Sequence, residues 1–154
     1  MKRDRLLNRE IISEVAALGH TEYLCIADCG LPVPKGVKVI DVSITAGKPS
    51  FLDVLDAVDE ELVVESIILA EEIDDKNQPL AGEMNKRFEG KPICKVPHEE
   101  FKKLTEKAKC IIRTGDVYKR QVRLHHLAAH HHGLHGGRPG QCLGPGHGLL
   151  ADRF

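Results

Sequence analysis

Short apolar runs alternate with amphipathic stretches through the first 116 residues, and that alternation constrains the fold more than any other feature of the chain. "YLCIAD" (23–28), "VKVIDVSI" (37–44), the start of "ELVVESIILAEEI" (61–73), 92–96 and 109–113 are each too brief for a buried helix and read as strands. Between them lie stretches with helical spacing. Leu7, Ile11, Val15 and Leu18 recur on one helical face, with Asn8 placed to cap it and Gly19 to stop it. "PSFLDVLDAV" opens with Ser50 and Asp53 at capping-box spacing, and segments 79–88 and 98–107 are also expected to be helices. Strands alternating with helices of this length predict an α/β layered domain.

The chain's character breaks near residues 116–120. Of nine histidines, seven (125, 126, 130, 131, 132, 135 and 147) follow residue 120, as do seven of the fourteen glycines, with no lysine and a single acid, Asp152. No helical or strand period is sustained there. The expected organisation is a folded body over 1–116 and a His/Gly-rich tail over 117–154.

Charge and composition exclude several classes of function. With 22 basic and 23 acidic residues the net charge is −1, so nothing draws the chain electrostatically to nucleic acid or to an acidic membrane. No apolar run approaches the length of a membrane span, and "MKRDRLLNRE" lacks the apolar core of a signal peptide. Five cysteines, without paired metal-ligand spacing, suit reduced thiols, so the expected compartment is the cytoplasm. Neither standard glycine-rich phosphate loop occurs, which argues against a nucleotide enzyme.

Four residues could carry chemistry. His20 follows the glycine that ends the first helix, where the negative end of the macrodipole alone would account for an imidazole. Asp28 closes the first strand, where turn formation alone would account for a carboxylate. His98 follows Pro97 at a helix start, a position that suits a neutral imidazole acting as a hydrogen-bond partner. Lys102 lies four residues on and shares its face, where a solvated lysine needs no further role. Singly, none of the four is specific.

Together with their surroundings they are. "LGHTEYLCIADCGLPVP", "DVSITAGKPSFLDVLDAV", "ILAEEI" and "VPHEEFKKLTEKAKCIIRTGD" resemble the ribose/fucose mutarotase family over residues 1 to about 116, and "DCGLPVP" resembles its D-ribose pyranase branch. The resemblance implies three layers around a mixed β-sheet flanked by helices. It also implies a cytoplasmic ring-like homodecamer whose pockets form where subunits meet. The implied activity is interconversion of the pyranose and furanose rings of D-ribose, without cofactor or metal. His20 would be the catalytic proton donor, Asp28 and His98 would bind the sugar, and Lys102 would line the pocket. Histidine suits the task, since ring opening takes a proton from the anomeric hydroxyl and returns one to the ring oxygen near neutral pH.

The likeness fails after "RTGD". The family continues with a Pro-Tyr-x-Asn element that touches the sugar and then a closing apolar strand. Here Arg120 and Val122 occupy the Tyr and Asn positions, Tyr118 is displaced by two residues, and the closing strand is expected to be missing or disordered. An end read out of its natural frame, or joined from elsewhere, is favoured over a natural extension. A histidine-rich metal tract ranks last, because no cysteine or carboxylate completes a tetrahedral set. The alternatives to the enzyme are a non-catalytic sugar-binding oligomer and a fucose mutarotase relative.

Overall fold

The computed structural model describes residues 5–19, 21–117 and, as backbone, 127–130. Helix α1 (Arg9–Ala16) starts where expected, because the Asn8 side chain accepts the N–H groups of Glu10 and Ile11, both at 3.0 Å. Ile11 and Val15 are buried, but Leu7 lies outside the helix and is 70% exposed, and Leu6 enters the core in its place. Strand β1 (Tyr23–Ala27) is buried along its whole length. Strand β2 (Lys38–Asp41) follows, then α2 (Phe51–Asp59), whose Ser50 and Asp53 form the reciprocal capping box. Next come β3 (Ser66–Ala70), a single turn α3 (Ile73–Lys76) and α4 (Gln78–Arg87), then β4 (Ile93–Val96), α5 (His98–Thr105) and β5 (Cys110–Arg113).

One expectation is overturned. The closing strand foreseen as missing is present: Leu127–His130, from the segment set apart as a tail, forms β6. It is an interior strand in the order β2-β5-β1-β6-β3-β4. β6 pairs antiparallel to both β1 and β3, while β1–β5, β2–β5 and β3–β4 are parallel. Five strands therefore run one way and β6 alone runs against them, which makes the sheet mixed.

Strand alternation divides the core into two layers. Leu24 and Ile26 of β1, Ile40 of β2, Ile67 and Leu69 of β3, and Cys110 and Ile112 of β5 face α1, α2 and α4. Tyr23, Cys25 and Ala27, with Ala70, Val96 and Ile111, face the other way, against Phe101 of α5. The Tyr23 hydroxyl donates to the Leu104 carbonyl, so the buried phenol has its partner on the same helix. The expected three-layer α/β fold is the observed one. The expectation of reduced cysteines holds for Cys25, Cys29 and Cys110, whereas Cys94 is disulfide-bonded. Among the described residues no helix is long and apolar enough to cross a membrane.

Candidate active site

Because β1 to β5 are mutually parallel, their carboxyl ends share one edge of the sheet, and in such sheets ligands bind beyond that edge. Asp28 follows β1, Asp41 ends β2, Glu71 and Glu72 follow β3, His98 follows β4 and Thr114 follows β5. Two of the four expected site residues, Asp28 and His98, therefore stand on this edge. Lys102 lies one turn into α5, with its ammonium 2.9 Å from Glu99 Oε1. So exposed a pair contributes only ~0.3–0.5 kcal/mol, and a ligand hydroxyl could displace it at little cost. His20 lies outside the described residues, as do Arg120 and Val122 and the tail histidines other than His130.

Asp28 is held by its own loop. Its Oδ1 accepts the Gly30 N–H at 2.8 Å and its carbonyl the Leu31 N–H at 3.5 Å, so "DCGL" closes as a turn over the end of β1. Half-burial pushes the carboxyl above its ordinary value. The two N–H groups oppose that rise, the neighbouring Asp116 carboxylate adds to it and Arg113 lowers it. A half-buried carboxylate at a strand end suits the hydroxyls of a polar, uncharged ligand.

Three loops lock around this residue. The Thr114 N–H donates to Ala27 O at 2.8 Å and the Cys29 N–H to Asp116 O at 3.1 Å, so the segment after β5 zips onto the segment after β1. Arg113 donates to the Cys29 carbonyl and lies 3.4 Å from Asp41, its neighbour in register on β2. The third loop is "TAGKPS", in which Thr45 and Lys48 pair across a tight turn with Gly47 at φ +78°. There the Gly47 N–H donates to Gly115 O at 2.6 Å and the Gly115 N–H to Pro49 O at 2.7 Å. Asp116 then accepts the Phe51 N–H at 3.0 Å, at the first turn of α2. The motifs "CGLPVP", "TAGKPSF" and "RTGD", distant in sequence, are one assembly.

His98 sits at the first turn of α5, as its position after Pro97 predicts. Its N–H donates to Glu72 Oε1 at 3.2 Å, and the Glu71 N–H donates to Val96 O at 2.9 Å, extending the β3–β4 pairing past its end. Glu72, Arg113, Gly115 and Asp116 are not among the candidates expected from the sequence. The available signal was their place in "ILAEEI" and "RTGD", both at strand ends. Cys25 and Cys110 are not candidate nucleophiles, since burial raises both thiols, Cys110 to about 12.

The RbsD / FucU transport protein family model matches residues 1–119. The D-ribose pyranase of Geobacillus kaustophilus is 50% identical over 117 residues, which cover 76% of this chain and 86% of that protein. The structure of Bacillus subtilis RbsD complexed with D-ribose superposes with a TM-score of 0.78 at 39% identity, covering 88% of this chain and all of that one. The fucose mutarotase from Streptococcus pneumoniae, solved with L-fucose, shares the fold at 17% identity and a TM-score of 0.60, covering 83% of this chain and 94% of that one.

Proposed function

Because the chain belongs to the RbsD/FucU transport protein family, we propose that it is a sugar mutarotase interconverting the pyranose and furanose forms of D-ribose. The observation that carries this reading is the 50% identity to a D-ribose pyranase across 117 residues, 76% of this chain.

The reaction needs little machinery. A proton leaves the anomeric hydroxyl as the bond from C1 to the ring oxygen breaks, and that oxygen takes up a proton. In the open aldehyde a different hydroxyl attacks C1, and the same transfers run in reverse. His20 is the proposed proton donor, because an imidazole can give and take a proton near neutral pH. Asp28 accepts sugar hydroxyls, His98 binds the sugar from the first turn of α5, and Lys102 donates to it once released from Glu99. A rigid turn and a helix start hold Asp28 and His98 in fixed positions, which favours one sugar orientation.

The assembly in this reading is a homo-oligomer, the ring-like decamer that the family resemblance implies, working in the cytoplasm. Leu7, Ile44 and Val63 are 70%, 85% and 75% exposed, apolar surface that contact between copies would cover. Sedimentation velocity tests the assembly. The activity test is ring exchange of D-ribose followed by NMR line shape or saturation transfer. Exchange above the buffer rate supports the reading, and His20→Ala should lower it by about 10²-fold or more with folding intact. Ribose bound without accelerated exchange would mark the chain as a sugar-binding protein instead.

A further inference from the structure

Glu72 is a carboxylate at the strand-end edge that is committed by half. Its Oε1 accepts the His98 N–H at 3.2 Å. Its Oε2 is shielded from solvent and has no hydrogen-bond partner among the described residues. A buried carboxylate oxygen left unpaired is costly, and native structures keep such an atom where something else satisfies it. Its surroundings indicate what that is. Glu72 lies two residues past the end of β3 and its side chain accepts the first N–H of α5, so it is fixed relative to the main chain of His98, a proposed sugar ligand. The backbone on both sides is rigid, because Ala70 pairs with Val96 and the Glu71 N–H returns to Val96 O.

We propose that Glu72 is a further sugar-binding residue, with one carboxylate oxygen anchoring His98 and the other accepting a hydroxyl of the ribose ring. This rests on the mutarotase reading above and extends it to a residue that the sequence analysis had left without a role. A vicinal diol or anomeric hydroxyl supplies the missing donor, and a sugar lacking that hydroxyl leaves the oxygen orphaned again. The residue therefore contributes to selectivity as well as to affinity.

Glu72→Gln separates the two halves of the role. The glutamine carbonyl can still accept the His98 N–H, while an NH₂ donor replaces the free acceptor oxygen. The intact chain and the variant are compared by D-ribose titration, ring exchange, thermal unfolding and the hydrogen-exchange protection of the His98 amide. The expected result is ribose affinity weakened about tenfold, with the unfolding temperature and the His98 amide unchanged. If Glu72→Gln binds ribose like the parent while the parent exchanges it, the inference is overturned and the mutarotase reading stands. Weakened binding accompanied by loss of His98 protection also overturns it, since the carboxylate is then an anchor only. A parent with neither exchange nor binding removes the mutarotase reading and this inference together. If the variant does not fold, the Glu72 carboxyl carbon of the parent decides: its resonance shifts on adding ribose if the oxygen meets a hydroxyl, and an unmoved resonance overturns the inference.

Discussion

Asp28 shows how a single side chain can be placed against its own preference. In the folded protein, burial and the nearby Asp116 raise its carboxyl, and the contacts from Gly30, Leu31 and Arg113 only partly compensate. The folded state then holds a proton to higher pH than the unfolded chain does. As pH rises from the ordinary carboxylate range through the raised value, the unfolded state binds fewer protons than the folded one, so stability falls. At neutral pH the charged Asp28 is thus a cost to folding, small because solvent still reaches it. Asp28→Asn keeps an oxygen for the Gly30 N–H and removes the charge. The unfolding temperature at neutral pH should rise by a degree or more, at roughly 2–4 °C per kcal/mol for a chain of this size. That gain should vanish in acid, while ribose exchange drops at least about tenfold. Thermal melts at two pH values check the sign, and a variant less stable than the parent at neutral pH contradicts this account. A residue kept at a cost to stability is what function predicts.

At the scale of elements, the sequence showed the regular pieces and missed the joints. Capping signals at Asn8 and Ser50 place α1 and α2, and short apolar runs place β1, β2, β4 and β5, because those patterns are local, whereas β3 forms at Ser66–Ala70 rather than at the start of 61–73. The turn α3 escaped notice since four residues carry no period. The locking of "TAGKPS" onto "RTGD" is invisible for a different reason: it is made by backbone groups that every residue has, brought together across sixty-odd positions. Only Gly115 hints at it. A Cβ there would lie 2.1 Å from the Lys48 carbonyl oxygen, and that oxygen belongs to backbone pinned on both sides by the Gly47 and Pro49 contacts. Gly115→Ala must push the two loops apart, an overpacking cost of about 1–3 kcal/mol. It should also displace Asp28, which hangs on the same segment through the Cys29–Asp116 hydrogen bond. Lower melting and slower ribose exchange should appear together, and an alanine variant with parental melting shows that the loops can yield freely.

For the whole molecule the decisive strand is β6. No local pattern announces it, because "LAAH" sits in a histidine-rich segment without period, where strand propensity is weak. Its place follows from tertiary demand. Without it, β1 and β3 would each present a buried row of unpaired N–H and C=O groups, and the two parallel halves β2-β5-β1 and β3-β4 would have no common ladder. In register, Ala129 stands opposite Leu24 on one side and Ile67 on the other, both in the larger core layer. A proline at this position removes an interior ladder donor and brings its ring against a neighbouring strand, a loss of at least about 3 kcal/mol. Ala129→Pro should therefore lower the unfolding temperature by roughly 6–12 °C, at about 2–4 °C per kcal/mol, and broaden or abolish the cooperative transition. The same substitution at an edge strand with its N–H facing solvent would cost little, so the size of the effect reports where the strand sits. Circular dichroism melts of the parent and of Ala129→Pro measure it directly. A variant that melts with the parent would mean that β1 and β3 are not joined through Leu127–His130, and that the halves of the sheet meet by some other pairing.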